Sequence, residues 1–140
     1  MDATLLLCDA AEAVNGKFYI LGGGWSIILR PGVPTPLTLA VKLSVPWDQA
    51  NQPHDIRAAL MDADGTPVDM GQGPVQATGK FEVGRPPGLK PGTALDVLFV
   101  LPFGQLAFDA GSYVWLLEVN GDPVTREPFL VLPGQEGGEK

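Results

Sequence analysis

Apolar and polar residues alternate along several short segments of the chain. Every odd-numbered residue from 37 to 45 is leucine or valine, and the even-numbered residues between them are threonine, alanine, lysine and serine. The same spacing recurs in residues 56–60, 95–101 and 113–119. Because successive side chains of a β-strand point to opposite faces, a period of two predicts strands with one buried face.

Three dipeptides with the chemistry of hairpin turns separate the apolar segments. Asn15-Gly16, Asp64-Gly65 and Asn120-Gly121 suit the positive backbone angles of two-residue loops. The first of them closes the longest window without glycine or proline, residues 1–15. The alanines of this window are compatible with a short helix capped by Asp2, but we prefer a strand that pairs back through the Asn15-Gly16 turn.

The number of strands and turns predicts an all-β fold. We expect roughly eight to ten short strands, which is typical of a single antiparallel β-sandwich of immunoglobulin-like or jelly-roll type. Residues 22–24 are three glycines, which indicates a bulge or bend between two strands. The sandwich is predicted to cover residues 1–132. Residues 133–140 contain no apolar anchor beyond Pro133, so we predict a disordered tail there.

Composition excludes several other classes of protein. The 140 residues include 18 glycines and 14 prolines, which interrupt nearly every stretch and exclude a long helical bundle. Because 45% of the residues are hydrophobic, disorder of the whole chain is excluded as well. The single cysteine excludes an internal disulfide framework.

The formal net charge of −7 makes polyanions poor partners. Nucleic acids and anionic membranes attract cationic side chains, so we predict neither as a partner. The first charged residue is Asp2 and the leading apolar run ends before Asp9, which does not match a secretory signal. No run reaches the ~18 apolar residues typical of a membrane helix, and we expect a cytoplasmic location.

The oligomeric state depends on how the edges of the predicted sheets are protected. Edge strands of an open sandwich can pair with strands of another molecule, which leaves a homodimer as an alternative. Proline blunts such edges because it lacks the backbone N–H. Since prolines occur at positions 36, 46, 123 and 128, we predict a monomer.

Patterns of catalytic and metal-binding residues are scarce. His54, the only histidine, lies in the polar segment 49–55 and is expected to be an ordinary surface residue. No serine occupies a Gly-x-Ser-x-Gly turn, and one histidine with one cysteine cannot supply four zinc ligands. Cys8 has no basic neighbour in sequence and is expected to be a small buried hydrophobe. We therefore predict no catalytic residue, no metal ion and no cofactor.

Asp62, Asp64 and Asp69 resemble part of a calcium-binding loop. A full loop needs glycine at its sixth position and glutamate at its twelfth, whereas counting from Asp62 these positions hold Pro67 and Gly73. We interpret the segment as a hairpin turn. A weak metal site at the three aspartates stays open as an alternative.

A stiff loop is the first part of the candidate binding surface. Residues 85–92 contain three prolines, which fix backbone angles. The loop would therefore present Arg85, Leu89 and Lys90 with little loss of entropy on binding. Arginine is also frequent among the residues that dominate interface energies. The alternative is a stiff connector that crosses between the sheets.

Trp47 and Asp48 are the second part of the candidate surface. They follow a predicted strand end and precede a polar loop. A tryptophan in this position covers the end of the core or contacts a partner, and covering the core is the simpler interpretation.

Four segments taken together resemble a known family. Residues 15–17 with 20–25, then 45–48, 81–92 and 111–115 are similar, in this order, to segments of small actinobacterial proteins classed as a domain of unknown function. The stretch from Val83 to Leu89 is the most specific of them. The resemblance covers nearly the whole chain except the tail. It implies a compact β-sandwich, and it supplies no activity, ligand or catalytic residue.

The leading functional hypothesis is a cytoplasmic, non-enzymatic module that binds a protein partner not identifiable from the sequence. One alternative is a small-ligand binder, with a carbohydrate-like ligand stacked on Trp47 beside Asp48. A second alternative is an enzyme that uses paired carboxylates for acid–base chemistry, since carboxylates are plentiful.

Overall fold

The computed structural model describes residues 1–134. In this range the chain forms nine β-strands and one short 3₁₀ helix, which confirms the all-β prediction and the expected number of strands. The strands are β1 (Asp2–Val14), β2 (Lys17–Gly23), β3 (Ile27–Ile28), β4 (Thr35–Val45), β5 (His54–Asp62), β6 (Gln76–Phe81), β7 (Leu95–Leu106), β8 (Gly111–Val119) and β9 (Asp122–Val131). The 3₁₀ helix spans Trp47–Gln49. Residues 135–140 of the predicted tail lie outside the described residues.

The strands form two sheets. One has four strands in the order β2-β1-β4-β7, and the other has five in the order β3-β9-β8-β5-β6. All strand pairs are antiparallel except β3 with β9, which run parallel. The prediction of purely antiparallel sheets is therefore wrong at this pair. Only a hairpin connection forces neighbouring strands to be antiparallel, and β3 is separated from β9 by most of the chain.

Buried apolar side chains from both sheets form one core. In β4 the five odd-numbered residues predicted to face inward are at most 1% exposed. Trp115 of β8 is fully buried, and its ring lies 4.6 Å from that of Phe103 in β7. Phe81 of β6 and Phe99 of β7 make a second aromatic contact, with 5.1 Å between ring centroids. These contacts join the two sheets, and the burial is the main contribution that favours folding.

Two of the predicted hairpin turns have the expected backbone. Asn15 and Gly16 have φ angles of 52° and 73° and join β1 to β2. Asn120 and Gly121 have φ angles of 54° and 84° and join β8 to β9. The window of residues 1–15 is a strand, as preferred over the helix.

The β1–β2 hairpin extends beyond the rest of its sheet. β4 pairs with β1 only from Asp2 to Cys8, whereas β2 pairs with β1 from Cys8 to Val14. Residues 9–22, which we call the hairpin arm, therefore have no third strand beside them among residues 1–134. Both faces of the arm carry apolar side chains, because Phe18, Tyr19, Ile20 and Leu21 are consecutive in β2.

Two glycines allow the base of the arm to bend. Gly22 has a φ of +60°, and a Cβ at this position would collide with the Asp9 side chain. A Cβ at Gly23 would lie 2.5 Å from Cγ2 of Ile20. Position 22 thus favours glycine for its backbone angle and position 23 for the close approach of Ile20, which agrees with the predicted bend.

Candidate functional site

The proline-rich loop crosses from one sheet to the other. It leaves β6 after Phe81 and enters β7 at Leu95, with no strand between them. The backbone N–H of Asn51 donates a hydrogen bond to the carbonyl of Val83 at 2.8 Å. This bond holds the start of the loop against the segment that follows the 3₁₀ helix.

Arg85 fastens the loop to Trp47. Its Nε and Nη2 donate hydrogen bonds to the Trp47 carbonyl oxygen at 3.1 and 2.6 Å. Its guanidinium carbon lies 4.5 Å from the centroid of the indole ring, within cation–π range. Trp47 itself is half-buried and packs against the core. Two predicted site residues far apart in sequence are thus brought together, and Arg85 occupies one face of the indole.

The other three predicted site residues are exposed. Asp48 follows Trp47 in the 3₁₀ helix, while Leu89 and Lys90 lie on the loop. The Lys90 carbonyl accepts hydrogen bonds from the backbone N–H and the hydroxyl of Thr93, at 3.1 and 2.6 Å. This turn positions the loop but does not connect the three side chains to Trp47 or Arg85. A binding role for the five residues stays a prediction.

His54 is buried, and the prediction of a surface histidine is wrong. It is 4% exposed at the start of β5. Its Nδ1 accepts a hydrogen bond from the Asn120 amide at 2.9 Å, so Nε2 carries the proton and donates it to the Gln49 carbonyl at 2.8 Å. The Phe81 ring stacks on the imidazole at 5.2 Å. Both ring nitrogens are hydrogen-bonded to the protein, so His54 connects the Gln49 carbonyl with the Asn120 side chain.

Asp62 and Asp69 use their carboxylates to stabilise turns. Oδ1 of Asp62 accepts hydrogen bonds from the backbone N–H groups of Asp64 and Thr66, both at 2.9 Å. Oδ1 of Asp69 accepts two from glycine N–H groups, at 2.7 and 3.2 Å. These bonds agree with the interpretation of the segment as turns. No cluster of three or more histidine, cysteine, aspartate or glutamate side chains within residues 1–134 is arranged to hold a metal ion.

Cys8 is a buried thiol, as predicted. It is 0% exposed, and its Sγ donates a hydrogen bond to the Thr38 carbonyl at 3.2 Å. Burial raises the pKa of the Cys8 thiol, and this effect outweighs the opposing backbone hydrogen bond of Ala40. A raised pKa leaves less thiolate at neutral pH, which lowers the reactivity of the sulfur.

Exposed apolar side chains concentrate along one edge of the molecule. Twelve large hydrophobic side chains are exposed in residues 1–134, and ten of them belong to β1, β2, β3 with the loop that follows it, or the end of β9 with the residue after it. We call these ten side chains the apolar edge: Leu6, Val14, Tyr19, Ile20, Leu21, Ile27, Leu29, Val33, Leu130 and Leu132. Leu21 and Leu29 are 70% and 69% exposed, so most of each side chain contacts solvent.

The strands of the apolar edge lie on the same side of the molecule. β2 ends one sheet, β3 ends the other, and β1 contacts β9. A cleft lined by Asp9, Ile27, Leu29 and Val33 links the base of the arm to β3. A second cleft of about 420 Å³ has a mostly apolar lining and includes Ile27 and Leu130. The exposed side chains are therefore neighbours of grooves that another molecule could fill.

Sequence reasoning missed the apolar edge, although a signal was present. Residues 18–21 are four consecutive apolar side chains in a segment predicted to be a strand. Such a strand has two apolar faces, which requires either burial on both sides or cover from another molecule. The choice between these outcomes depends on whether a third strand lies beside the hairpin, and that is a tertiary property.

Fold and surface together define an all-β protein of two sheets with a protruding hairpin and an exposed apolar edge. The chain belongs to DUF6941, a family of unknown function whose family model matches residues 3–132. This match confirms membership of a domain family of unknown function, while the actinobacterial source stays a prediction. No curated protein matches the sequence. Within residues 1–134, no helix has the length and apolar character needed to cross a membrane.

Proposed function

We propose that the protein is a cytoplasmic, non-enzymatic interaction module that binds a protein partner through the apolar edge. The observation that carries this proposal is the concentration of ten of the twelve exposed large hydrophobic side chains of residues 1–134 on this edge. Soluble monomers rarely leave large contiguous apolar patches exposed, and such patches mark interaction sites. Covering them is favourable by about 25 cal/mol per Å² of apolar surface.

The hairpin arm supports the proposal through its incomplete burial. An isolated two-stranded hairpin is only marginally stable in water, because it cannot bury either face. Tyr19 is 59% exposed and Leu21 is 70% exposed, so the arm leaves much of its apolar surface in solvent. A partner that packs on the arm would supply the missing burial.

The proline-rich loop is a second surface for such a partner. Arg85 holds it on Trp47 through two hydrogen bonds and a cation–π contact, so the loop is ordered before binding. Leu89 and Lys90 are exposed on it. A pre-ordered loop loses little entropy on association, which favours its use as a contact surface.

The sugar-binding alternative is less favoured than the interaction module. Stacking of a sugar on Trp47 needs an open face of the indole. The Arg85 guanidinium lies 4.5 Å from the ring centroid, and Trp47 is half-buried against the core. Asp48 is exposed beside a tryptophan whose ring is already engaged.

We also propose that the two sheets form a sandwich of the immunoglobulin-like type rather than a jelly roll. The strands β1, β4 and β7 share one sheet and β5, β8 and β9 the other, which matches the A-B-E and C-F-G strands of that fold in chain order. The Tyr113 hydroxyl, near the start of β8, donates a hydrogen bond to the Asp109 carbonyl at 2.8 Å. This contact resembles the tyrosine corner of immunoglobulin-like domains.

Site-specific photo-crosslinking in cells tests the interaction module. A benzoylphenylalanine residue replaces Leu21 in the arm, and the matched control carries it at Met70, an exposed apolar residue outside both the apolar edge and the proline-rich loop. We expect covalent protein adducts from position 21 that are absent or several-fold weaker from position 70. If positions 19, 21 and 29 produce no adduct beyond the control, the apolar edge is not a binding surface.

A further inference from the structure

The outer side of β2 has backbone groups without a partner strand. Val14 and Lys17 are the closing pair of a two-residue hairpin, and in such a hairpin the closing pair exchanges hydrogen bonds while the next pair does not. By this alternation, Phe18 and Ile20 direct their N–H and C=O groups away from β1. No other strand of residues 1–134 pairs with that side of β2.

β2 is also the least protected of the four sheet edges in the described residues. β3 is only two residues long, β6 carries the exposed Lys80, and β7 contains Pro102. Short length, lysine and proline are the usual devices that prevent edge strands from pairing with other molecules. The lysine of β2, Lys17, lies at its turn end, and residues 18–21 have none of these devices, since all four are uncharged and none is proline.

The prolines that suggested a monomer do not lie on this edge. Pro36 is in β4 and Pro46 follows it, while Pro123 and Pro128 are in β9. Pro123 and Pro128 protect the outer edge of β9 where β3 does not pair with it. These prolines therefore do not protect the edge of β2.

We infer that the β2 edge pairs with β2 of a second copy of this chain in an antiparallel, two-fold symmetric dimer. This inference rests on the proposed function, because it names the partner that covers part of the apolar edge. With the two-fold axis at Tyr19, the outward-facing groups of Phe18 meet those of Ile20 in the second copy. The two four-stranded sheets then become one continuous sheet of eight strands.

The side chains of β2 suit this pairing. In the register described, the two Tyr19 rings lie opposite each other as a non-hydrogen-bonded pair, where side chains are closest. Phe18 of each copy lies opposite Ile20 of the other copy. Aromatic–aromatic and aromatic–β-branched pairs are among the favourable cross-strand pairs, each contributing roughly 0.2–1 kcal/mol.

Charge and composition favour a second copy as the occupant. The whole chain has a net charge of −7, which opposes self-association, but residues 15–24 contain one lysine and no acidic residue. No carboxylate of β2 therefore meets another across the two-fold axis, and the neighbouring ones, Asp9 and Glu12, lie one strand away in β1. Residues 135–140 contain no apolar side chain, so they are chemically unsuited to cover the arm.

Sedimentation equilibrium of the purified full chain tests the inference. At about 1 μM to 1 mM protein, we expect a species of twice the 14.8 kDa chain mass. Tyr19→Lys places two like charges opposite each other at the two-fold axis and should raise the dimer dissociation constant at least about tenfold. Met70→Lys is its matched control, with the same charge added at an exposed apolar position outside both the apolar edge and the proline-rich loop, and should leave the constant unchanged.

A backbone variant tests the edge pairing separately. Ile20→Pro removes an N–H that makes no bond within the monomer but is required in the dimer, whereas Ile20→Val keeps it. We expect the proline variant to be monomeric and the valine variant to be dimeric, with circular dichroism reporting that each is folded. If the proline variant does not fold, the comparison of Tyr19→Lys with Met70→Lys decides.

The outcomes separate this inference from the proposed function. A monomeric wild type that still forms crosslinked adducts to other proteins from position 21 overturns the dimer and leaves the interaction module standing. A monomer without such adducts overturns both. A dimer that Tyr19→Lys and Ile20→Pro do not weaken forms elsewhere on the surface, and this result overturns the assignment to β2.

Discussion

At the residue scale, Asn120 connects a surface turn to the interior. Its positive φ forms the β8–β9 turn, its Oδ1 accepts the backbone N–H of Asp55 at 2.9 Å, and its amide donates to His54 Nδ1. His54 in turn donates to Gln49 next to the 3₁₀ helix. One chain of hydrogen bonds thus joins the turn, the start of β5 and the segment that carries Trp47.

Replacing Asn120 with glycine tests this network. Glycine accepts the φ of 54°, so the variant removes the side-chain bonds without adding backbone strain. We expect the free energy of unfolding to fall by about 1–3 kcal/mol, because the buried acceptor of His54 loses its donor. The measurement is urea denaturation. Asn15→Gly, at the corresponding position of the exposed β1–β2 turn, is the control, and an equal loss in both variants contradicts the network.

The Cys8 thiol is expected to make the free energy of unfolding decrease as the pH rises through the alkaline range. Its pKa in the folded protein is raised above the ordinary value of 9.0 by burial. The unfolded chain therefore releases the thiol proton at a lower pH than the folded chain, and stability falls as pH rises through and above this value. We expect Cys8→Ala to show a shallower decline between pH 8 and about 10.5 in denaturation experiments. Parallel curves for both proteins would exclude this contribution.

At the element scale, the proline-rich loop depends on one side chain for its position. The Arg85 guanidinium makes two hydrogen bonds to the Trp47 carbonyl and stacks on the indole, while the Asn51–Val83 bond secures the loop start. Prolines stiffen the loop but do not attach it to the protein. Without Arg85 the loop would keep its internal stiffness and lose its contact with the 3₁₀ helix.

Arg85→Ala is expected to release the loop from Trp47. Amide hydrogen exchange of residues 84–92 should accelerate several-fold, and the free energy of unfolding should decrease by only about 0.5–1.5 kcal/mol, since the contact lies at the surface. Lys90→Ala serves as the control because the Lys90 side chain is exposed. Similar exchange rates in the two variants would show that Arg85 does not hold the loop.

At the scale of the whole molecule, aromatic contacts join the sheets. Trp115 is fully buried against Phe103, and its Nε1–H has no hydrogen-bond partner among the described residues. Phe81 and Phe99 make the corresponding contact nearer the proline-rich loop. The indole of Trp115 thus stabilises the fold by filling volume rather than by hydrogen bonding.

Trp115→Ala is expected to destabilise the protein by about 3–5 kcal/mol, because it leaves a large cavity between the sheets. Trp115→Phe should cost clearly less, since it fills part of that volume and removes an N–H that is buried without a partner. Equilibrium denaturation of both variants measures the difference. If both variants lose the same stability, the indole N–H makes a stabilising hydrogen bond that phenylalanine cannot replace.

The sequence determined which segments become strands and turns. Period-two alternation in residues 37–45 and Asn-Gly turns at positions 15 and 120 depend on side-chain geometry and local backbone preference, which act over a few residues. The proline-rich segment was predictable as a loop for the same reason. These local preferences do not specify which strands become neighbours.

Only the tertiary structure decided which polar groups are buried and which apolar ones are exposed. His54 lies among polar residues in sequence, yet Asn120 and the Gln49 carbonyl satisfy its nitrogens inside the protein. Residues 18–21 are apolar, yet they lie in the part of the β1–β2 hairpin that extends past the last β1–β4 pair, Cys8 with Thr38. The parallel pairing of β3 with β9 was likewise not predictable from the sequence. All three depend on contacts between residues distant in the chain, which no local pattern encodes.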